Sequence, residues 1–149
     1  MNDLKKSAIA LSLTAFIALA SWESYREMPY QDVGGVWTDG FGNTTNVVPN
    51  KKVSVPKALK QLGDNAIVAE RAVKQCITKP MTQNQYDSFV LFTYNVGGGA
   101  FCKSTLVKKF NAGDSVGACN ELAKWVYVNG KKVEGLANRR EDERKLCLS

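Results

Sequence analysis

Three polar residues near the N-terminus have types and spacing that suit the cleavage of a glycosidic bond. Glu23 is followed by Asp32 nine positions later and by Thr38 six positions after that. Cleavage needs one protonated carboxylic acid to protonate the leaving oxygen, and a second polar group to hold a water or stabilise positive charge on the sugar. Apolar surface such as Trp22 favours a protonated Glu, whereas an Asp on a polar hairpin stays ionised. Glu23 is therefore the candidate acid, with Asp32 and Thr38 as candidate partners.

The elements that position these residues are predicted from helix and turn signals. An apolar segment, Ser7–Trp22, begins a helix that has Glu23 near its C-terminal end. Pro29 is expected to stop this helix. The Gly-rich, aromatic and β-branched stretch after it is typical of a short β-hairpin or a three-strand meander. Asp32 and Thr38 would lie on this hairpin, where the chain can fold back to face Glu23.

The rest of the chain is predicted to be helical, which makes the fold α+β and mainly helical. Ser54 is a candidate N-cap for a helix with Pro56 in its first turn, interrupted near Gly63-Asp64 and resuming to about Cys76.

Helix signals continue to the C-terminus. Thr82 and Gln85 form a candidate capping box for a helix that Gly97-Gly98-Gly99 ends. Asn129-Gly130 marks a turn before the last helix. Three short helices are predicted at about Ser104–Phe110, Asp114–Trp125 and Glu134–Cys147.

Composition narrows the class of protein. The chain has 149 residues, enough for one domain with a buried core, and its 44% hydrophobic and 23% charged residues are ordinary for a globular protein. A net charge of +6 favours polyanions such as nucleic acid, anionic lipid or an acidic wall polymer, but no nucleic-acid-binding signature occurs. The absence of histidine argues against zinc peptidases and against Ser or Cys nucleophiles with a His base. What remains is chemistry performed by carboxylates, hydroxyls, Lys or Arg, and we expect no metal or cofactor.

The N-terminal residues predict export. Lys5 and Lys6 precede Ser7–Trp22, a run of 16 residues without a charge, which favours a cytoplasmic N-terminus and an exported remainder. Four cysteines, none in a C-x-x-C pair, then favour disulfides, and four cysteines allow three pairings.

Ser7–Trp22 has three interpretations: a cleaved signal peptide, a permanent anchor or a weak, releasable anchor. As a helix it would span about 24 Å, short of a hydrocarbon core of about 30 Å, and it is rich in Ala, Ser and Thr, so the permanent anchor ranks last. Ala18-Leu19-Ala20 resembles a signal-peptidase site. Cleavage there would leave Glu23 third from a frayed terminus, a poor place for a catalytic group.

The pattern Glu-x8-Asp-x5-Thr, with Tyr30 two residues before Asp32 and Gly-Val-Trp-Thr-x-Gly-x-Gly-x-Thr around Thr38, resembles the phage-type lysozymes, glycoside hydrolase family 24. The resemblance runs from about Glu23 to the C-terminus. Further matches in the family's order are Thr82-Gln83-Asn84-Gln85-Tyr86-Asp87, Tyr94-Asn95-Val96-Gly97, Ser104-Thr105-Leu106, Asn111-Ala112-Gly113-Asp114, Trp125 and Gly135-Leu136-Ala137-Asn138-Arg139-Arg140-Glu141.

The resemblance implies a lysozyme-like fold and an endolysin that hydrolyses the β-1,4 bond between N-acetylmuramic acid and N-acetylglucosamine in peptidoglycan, acting as a monomer. By position, Glu23 would be the general acid, and Asp32 and Thr38 would hold and activate the attacking water. Arg139 would lie near the acid and Asn95 would line the cleft, both as substrate-binding residues. The family pattern also favours the disulfides Cys76–Cys102 and Cys119–Cys147.

Two residues depart from the family pattern. Asn43 stands where the family usually has His, which puts a local ion pair in doubt rather than the activity. Ser24 replaces the usual Gly after the acid. We expect either that its side chain crowds the cleft or that serine suits the helix better than glycine.

The N-terminal segment resembles that of the signal-anchor-release endolysins. This implies that residues 1–22 hold the protein at the inner membrane through residues 7–22 until release to the periplasm, and that residues 23–149 are the muramidase domain. Because no cysteine precedes Cys76, activation by refolding of the helix around Glu23 is favoured over disulfide exchange.

Two rival functions remain open from the sequence. A lytic transglycosylase cuts the same bond with a Glu but needs no water-holding pair such as Asp32 and Thr38. A basic protein that binds wall or membrane without catalysis is the rival from another class.

Overall fold

The computed structural model describes residues 9–149, and the expectations for Lys5, Lys6, Ser7 and Ala8 lie outside the described residues. The predicted α+β, mainly helical fold is confirmed, with two small antiparallel hairpins among the helices. The elements in chain order are α1 (Leu13–Glu23), β1 (Arg26–Gln31), β2 (Trp37–Gly40), α2 (Val55–Cys76), α3 (Gln83–Val96), α4 (Gly98–Cys102), α5 (Thr105–Asn111), α6 (Ser115–Glu121), a 3-10 turn (Leu122–Lys124), β3 (Tyr127–Val128), β4 (Lys131–Lys132) and α7 (Glu134–Leu148).

The chain divides into two compact units. The hairpin unit is Phe16–Ile67, and the helical unit is Val68–Ser149 together with the chain up to Ala15. Helices α1 and α2 each contribute residues to both units.

The helical unit is built around the buried aromatic face of α3. Phe89 packs edge-on against Phe110 with ring centroids 5.2 Å apart, and Phe92 packs in the same way against Trp125 at 5.2 Å. Such edge-to-face pairs stabilise the core beyond the contribution of burying the rings themselves. Two disulfides, Cys76–Cys102 and Cys119–Cys147, are the pairs that the family pattern favoured.

The ends of α3 follow the predicted local signals. The Thr82 side chain accepts from the backbone N–H of Gln85, whose side chain accepts from the Thr82 N–H in return, so the capping box is present. Gly97, with φ of 89°, ends the helix. Gly97 alone ends α3, because α4 begins at Gly98 directly after the cap.

Helix α1 begins later than the apolar run suggested. Residues Ile9–Ser12 are not helical, and the Ser12 hydroxyl accepts from the Ala15 N–H at 3.1 Å, which makes Ser12 the N-cap. Glu23 is the last residue of the helix, in agreement with the prediction that it lies near the C-terminal end. Within residues 9–149, no helix has the length and apolar character needed to cross a membrane.

The hairpin unit holds a two-stranded sheet in which Tyr30 pairs with Thr38 and Gln31 with Trp37. Pro29 does not stop the helix as expected, because the helix already ends at Glu23 and Pro29 lies inside β1. The register shifts between Arg26 and Tyr30, an irregularity that accommodates a residue without an N–H.

Helix α2 is continuous from Val55 to Cys76, so the predicted interruption near Gly63-Asp64 is wrong. A single mid-helix glycine costs only about 1 kcal/mol, and Lys60 and Asp64 form an ion pair across that turn, 2.7 Å apart. Ser54 lies just before the helix, and its hydroxyl accepts from the Lys57 N–H at 3.4 Å.

The β3–β4 hairpin was not predicted as strands, although its turn was. Asn129 and Gly130 have φ of 50° and 77°, the left-handed values of a tight hairpin turn. Strands of two residues are too short to show an alternating pattern in the sequence. Helices α5 and α7 begin and end within one residue of their predicted bounds, whereas the predicted helix Asp114–Trp125 ends at Glu121 and continues only as the 3-10 turn Leu122–Lys124.

Candidate active site

Glu23 is the last residue of α1, and a sharp reversal of the chain follows it. Ser24 has φ of 57°, in the left-handed region that glycine adopts without strain, and its N–H donates to the Ala20 carbonyl at 3.2 Å. The expectation that Ser24 suits the helix is therefore wrong, because Ser24 lies beyond the helix end. A glycine at this point in the family suits the backbone conformation.

The carboxylate of Glu23 lies against the loop that follows β2. A Cβ placed on Gly42 would stand 3.2 Å from Oε2 of Glu23, and Gly42 has φ of 73°. Glycine is thus favoured here for two reasons, its backbone conformation and the close approach of the carboxylate. The structure therefore brings the Gly-x-Gly-x-Thr stretch of the motif onto the candidate acid.

Asp32 follows β1 and is held by its own turn. One carboxylate oxygen, Oδ1, accepts from the backbone N–H groups of Gly34 at 2.8 Å and Val36 at 2.9 Å. The other oxygen, Oδ2, accepts no hydrogen bond from the residues that the structure describes. The two amides fix the orientation of the carboxylate and leave Oδ2 available to a substrate or a water.

Thr38 is buried in β2 and is connected to Asp32 through Val36. The Thr38 hydroxyl donates to the Val36 carbonyl at 3.1 Å, and the Asp32 N–H donates to the same oxygen at 3.0 Å. Because its proton is used by this carbonyl, the Thr38 oxygen can still accept a hydrogen bond. Asp32 and Thr38 are therefore oriented by one peptide group.

Asn43 is buried beside this site and replaces the family's usual histidine with an amide network. Its Nδ2 donates to Oδ1 of Asp39 at 2.8 Å and to the Thr45 carbonyl at 2.9 Å. Its Oδ1 accepts from Nδ2 of Asn65 at 3.3 Å. Asn43 thus supplies Asp39 with a neutral donor in place of an ion pair, and the loop keeps its hydrogen bonds.

The two remaining candidates, Asn95 and Arg139, lie in the helical unit. Buried Arg139 donates from Nε to Oε1 of Glu143 at 3.4 Å. Asn95 accepts from Nη2 of Arg140, which also donates from Nη1 to Glu143 and from Nε to the Trp125 carbonyl at 3.1 Å. Burial raises the pKa of Glu143, and its contacts with Arg140 and Arg139 oppose that shift.

Arg140 was missed as a site residue. Its guanidinium carbon lies 4.9 Å from the centre of the Phe92 ring, and the side chain is almost completely buried. The only signal in the sequence was the Arg-Arg-x-x-Glu spacing, which places both arginines within one turn of Glu143 on α7. The partner on α3, Asn95, could not be inferred from that spacing.

A pocket of about 370 Å³ in the helical unit is lined by Asn95 and Arg140. Its walls combine apolar and aromatic side chains with a few polar groups, the composition of a carbohydrate or small-ligand site. The lining residues are Asn95, Val96, Lys124, Trp125, Tyr127, Val128, Leu136 and Arg140.

Comparison with known proteins identifies the family. The phage lysozyme family model matches residues 20–143. A SAR-endolysin of Bacteriophage PS119 is 38% identical over 127 residues, covering 85% of this chain and 76% of the relative.

Solved structures agree with this assignment. The muramidase domain of SpmX from Asticaccaulis excentricus superposes with a TM-score of 0.89 at 28% identity, covering 95% of this chain and 99% of that domain. The P1 phage endolysin Lyz superposes in its active form with a TM-score of 0.84 at 30% identity, covering 97% of this chain and 88% of the endolysin. Its secreted inactive form gives 0.58 at 28% identity, covering 88% and 93%. The chain therefore belongs to the phage lysozyme family and is a glycosidase of the lysozyme type.

Proposed function

We propose that this lysozyme is an endolysin that hydrolyses the β-1,4 bond between N-acetylmuramic acid and N-acetylglucosamine in peptidoglycan, with Glu23 as the general acid. The observation that carries the proposal is the geometry of the hairpin unit. The hairpin loop packs Gly42 against the Glu23 carboxylate, and the backbone of Val36 orients both partners, because its N–H donates to the Asp32 carboxylate and its carbonyl accepts from the Thr38 hydroxyl.

Each residue then has one role in the hydrolysis. Glu23 gives its proton to the glycosidic oxygen as the bond from that oxygen to the sugar carbon breaks. Asp32, through Oδ2, and Thr38, through its hydroxyl oxygen, hold a water that forms the new bond to the same carbon. Asp32 takes the proton that the water loses. Asn95 and Arg139 contribute to substrate binding in the helical unit.

The test is mass spectrometry of purified peptidoglycan after digestion. The wild-type protein should release fragments with reducing N-acetylmuramic acid ends, and Glu23→Gln and Asp32→Asn should release almost none. Glu27→Gln is the matched control, because Glu27 is an exposed carboxylate of the same unit, paired with Lys52 at 3.3 Å. Ends in the 1,6-anhydro form would replace this proposal with a lytic transglycosylase.

A separate experiment tests whether the protein lyses cells without catalysis. Permeabilised bacteria are treated with equal amounts of wild-type protein and Glu23→Gln. Full lysis by Glu23→Gln would mean that a basic protein disrupts the envelope by binding alone, and the assignment of Glu23 would be wrong.

The proposal extends to the N-terminal segment. Residues 1–22 would act as a releasable anchor, held in the inner membrane through residues 7–22, and residues 23–149 as the muramidase domain that becomes active in the periplasm as a monomer. The SAR-endolysin relative and the higher similarity to the active than to the secreted inactive form of the P1 endolysin support this view. The abundance of Ala, Ser and Thr in the segment makes its insertion into the bilayer less favourable, as release requires.

The mass of the exported protein tests the anchor. An intact chain, Met1–Ser149, should be found with the membrane early and in soluble form after the membrane is depolarised. A product that begins at Ser21 would show a cleaved signal peptide instead.

A further inference from the structure

Two carboxylates of the helical unit hold the chain just before α1. Oδ1 of Asp87 accepts from the Ser12 N–H at 3.0 Å, and Oδ2 accepts from the Ser12 hydroxyl at 2.6 Å. Oε1 of Glu70 accepts from the Leu11 N–H at 2.7 Å. Nε2 of Gln83 completes the set by donating to the Ala10 carbonyl at 2.8 Å. Residues 10–12 are thus bound at three consecutive positions.

Side chains of the helical unit orient both carboxylates. With the segment in place Asp87 is 3% exposed, and its Oδ1 also accepts from Nε2 of Gln83 at 2.9 Å. Oε1 of Glu70 also accepts from the hydroxyl of buried Tyr86 at 2.7 Å. Gln83 and Tyr86 therefore hold the two acceptors in place for the segment.

Each side of this contact satisfies the other. Among the described residues, Ser12 supplies two of the three donors to Asp87, and Gln83 supplies the third. Hydrogen bonds to a carboxylate are stronger than those to a neutral acceptor, especially where the segment itself excludes water, so these contacts favour the bound segment. Ile9 and Leu11 add apolar contacts with the core of the same unit.

The contact also determines where α1 starts. The Ser12 hydroxyl donates to Asp87 and at the same time accepts from the Ala15 N–H at 3.1 Å, so the helix cap is itself held by Asp87. Helix α1 then runs for 11 residues without interruption to Glu23. A helix is stiff over this length, about 16 Å, so fixing its first turn constrains its last residue.

We propose that Asp87 and Glu70 form the receiving site for residues 10–12 and act as positioning residues for Glu23. Resting on the proposed function, the site is empty while residues 7–22 lie in the membrane and is filled when they leave it. Binding at the receiving site favours the released form, and it places Glu23 through the cap of α1. Neither Asp87 nor Glu70 touches the reacting atoms.

The first experiment measures release with the anchor sequence unchanged. Asp87→Asn and Asp87→Ala are made in the full chain, the membrane is depolarised, and the soluble and membrane-bound fractions are quantified. Because both changes lie outside the anchor, its hydrophobicity is the same in every variant. The soluble fraction should fall about three- to tenfold, whereas Asp142→Asn, an exposed carboxylate on α7, should match the wild type. A wild-type soluble fraction in Asp87→Ala would overturn the receiving site.

The second experiment measures positioning in purified full-length protein kept in solution by detergent. Asp87→Ala and Ser12→Ala should each lower kcat by about 10- to 100-fold with KM nearly unchanged, since a misplaced acid loses rate rather than binding. Ser12→Thr, which keeps the hydroxyl, should restore most of the rate. The double variant Ser12→Ala, Asp87→Ala should be no slower than either single variant, because both remove the same contact.

The outcomes separate the two proposals. Losses that multiply in the double variant, or a rise in KM with kcat intact, would mean that Asp87 acts through general stability and not through Ser12. If the wild-type protein fails to produce reducing N-acetylmuramic acid ends, the proposed function fails instead. If wild-type release and the Glu23→Gln defect are as proposed but the Asp87 variants behave as wild type, only the receiving site is wrong.

Discussion

Gly42 lies so close to Glu23 that a methyl group on its Cα would stand 3.2 Å from the carboxylate oxygen Oε2. Gly42→Ala should therefore lower kcat about tenfold or more, because the added methyl displaces the proposed acid. The measurement is the rate of turbidity loss of purified peptidoglycan. Gly113→Ala is the control, since Gly113 has a similar positive φ of 93° and nothing within 4 Å of an added Cβ. Equal activity in the two variants would show that only backbone strain matters.

The hydroxyl of Thr38 is expected to contribute to catalysis because its oxygen can accept a hydrogen bond from the attacking water. Thr38→Val removes the oxygen with little change of shape and should lower kcat by about 10²-fold, a magnitude typical of one positioned polar group. Thr38→Ser keeps the oxygen and its hydrogen bond to Val36, and should retain most of the activity. Thermal unfolding of both variants checks that the hairpin is intact. A Thr38→Val enzyme as active as Thr38→Ser would remove Thr38 from the water-binding role.

Asn43 should be important for stability rather than for catalysis. Asn43→Leu leaves the buried Asp39 carboxylate without its donor at 2.8 Å, and we expect a loss of about 1–3 kcal/mol in the free energy of unfolding. Asn43→His keeps a ring N–H for Asp39 and should lose less. Denaturant unfolding measures both. Equal losses would mean that packing, not the donor, is what Asn43 provides.

Glu121 makes stability depend on pH in the acidic range. Hydrogen bonds from Lys109 and Lys124 lower its pKa from the ordinary value of 4.5. Its stabilising contribution is therefore fully present above the unfolded pKa and is lost as the pH falls through the folded one. The difference in unfolding free energy between wild type and Glu121→Gln should be largest near neutral pH and shrink in acid.

Lysine variants check the cause of this pH dependence. Lys109→Gln should reduce the acid sensitivity, because the Lys109–Glu121 contact at 2.6 Å is lost. Lys108→Gln, at the neighbouring exposed position, should leave it unchanged. A Glu121→Gln difference that is constant with pH would contradict the assignment.

The two disulfides should contribute separately to the stability of the helical unit. Cys76–Cys102 and Cys119–Cys147 close loops with sequence separations of 26 and 28, so each should stabilise by about 2–4 kcal/mol. Serine pairs at each bridge, followed by denaturant unfolding, test this expectation. An unchanged midpoint in either variant would show that the bridge is dispensable.

The parts of the structure that sequence could predict are those with local causes. Ser54 and Thr82 mark helix starts by hydrogen bonds to residues three positions away, and the Glu23-Asp32-Thr38 spacing lies within one hairpin unit. The interruption predicted at Gly63 was wrong because a glycine inside a helix and a glycine at a helix break look the same in the local sequence.

The parts that could not be predicted depend on distant residues. Ser12 and Asp87 are 75 positions apart, and Asn95 and Arg140 are 45 apart, so no spacing rule connects either pair. The close approach of Gly42 to Glu23 likewise depends on how the hairpin folds back. The sequence motif contains both residues but does not indicate that they are in contact.

The chain before α1 is held largely by its peptide N–H groups, at Leu11 and Ser12, and these are present in every residue except proline. Positions 9, 11 and 12 make side-chain contacts of their own, whereas Leu13 and Ile17 of α1 are 75% and 58% exposed. Changes at these exposed positions can alter the hydrophobicity of the segment without altering where it fits in the folded enzyme. In the proposed release, the moment of lysis would depend on these exposed positions and could evolve separately from the catalytic residues.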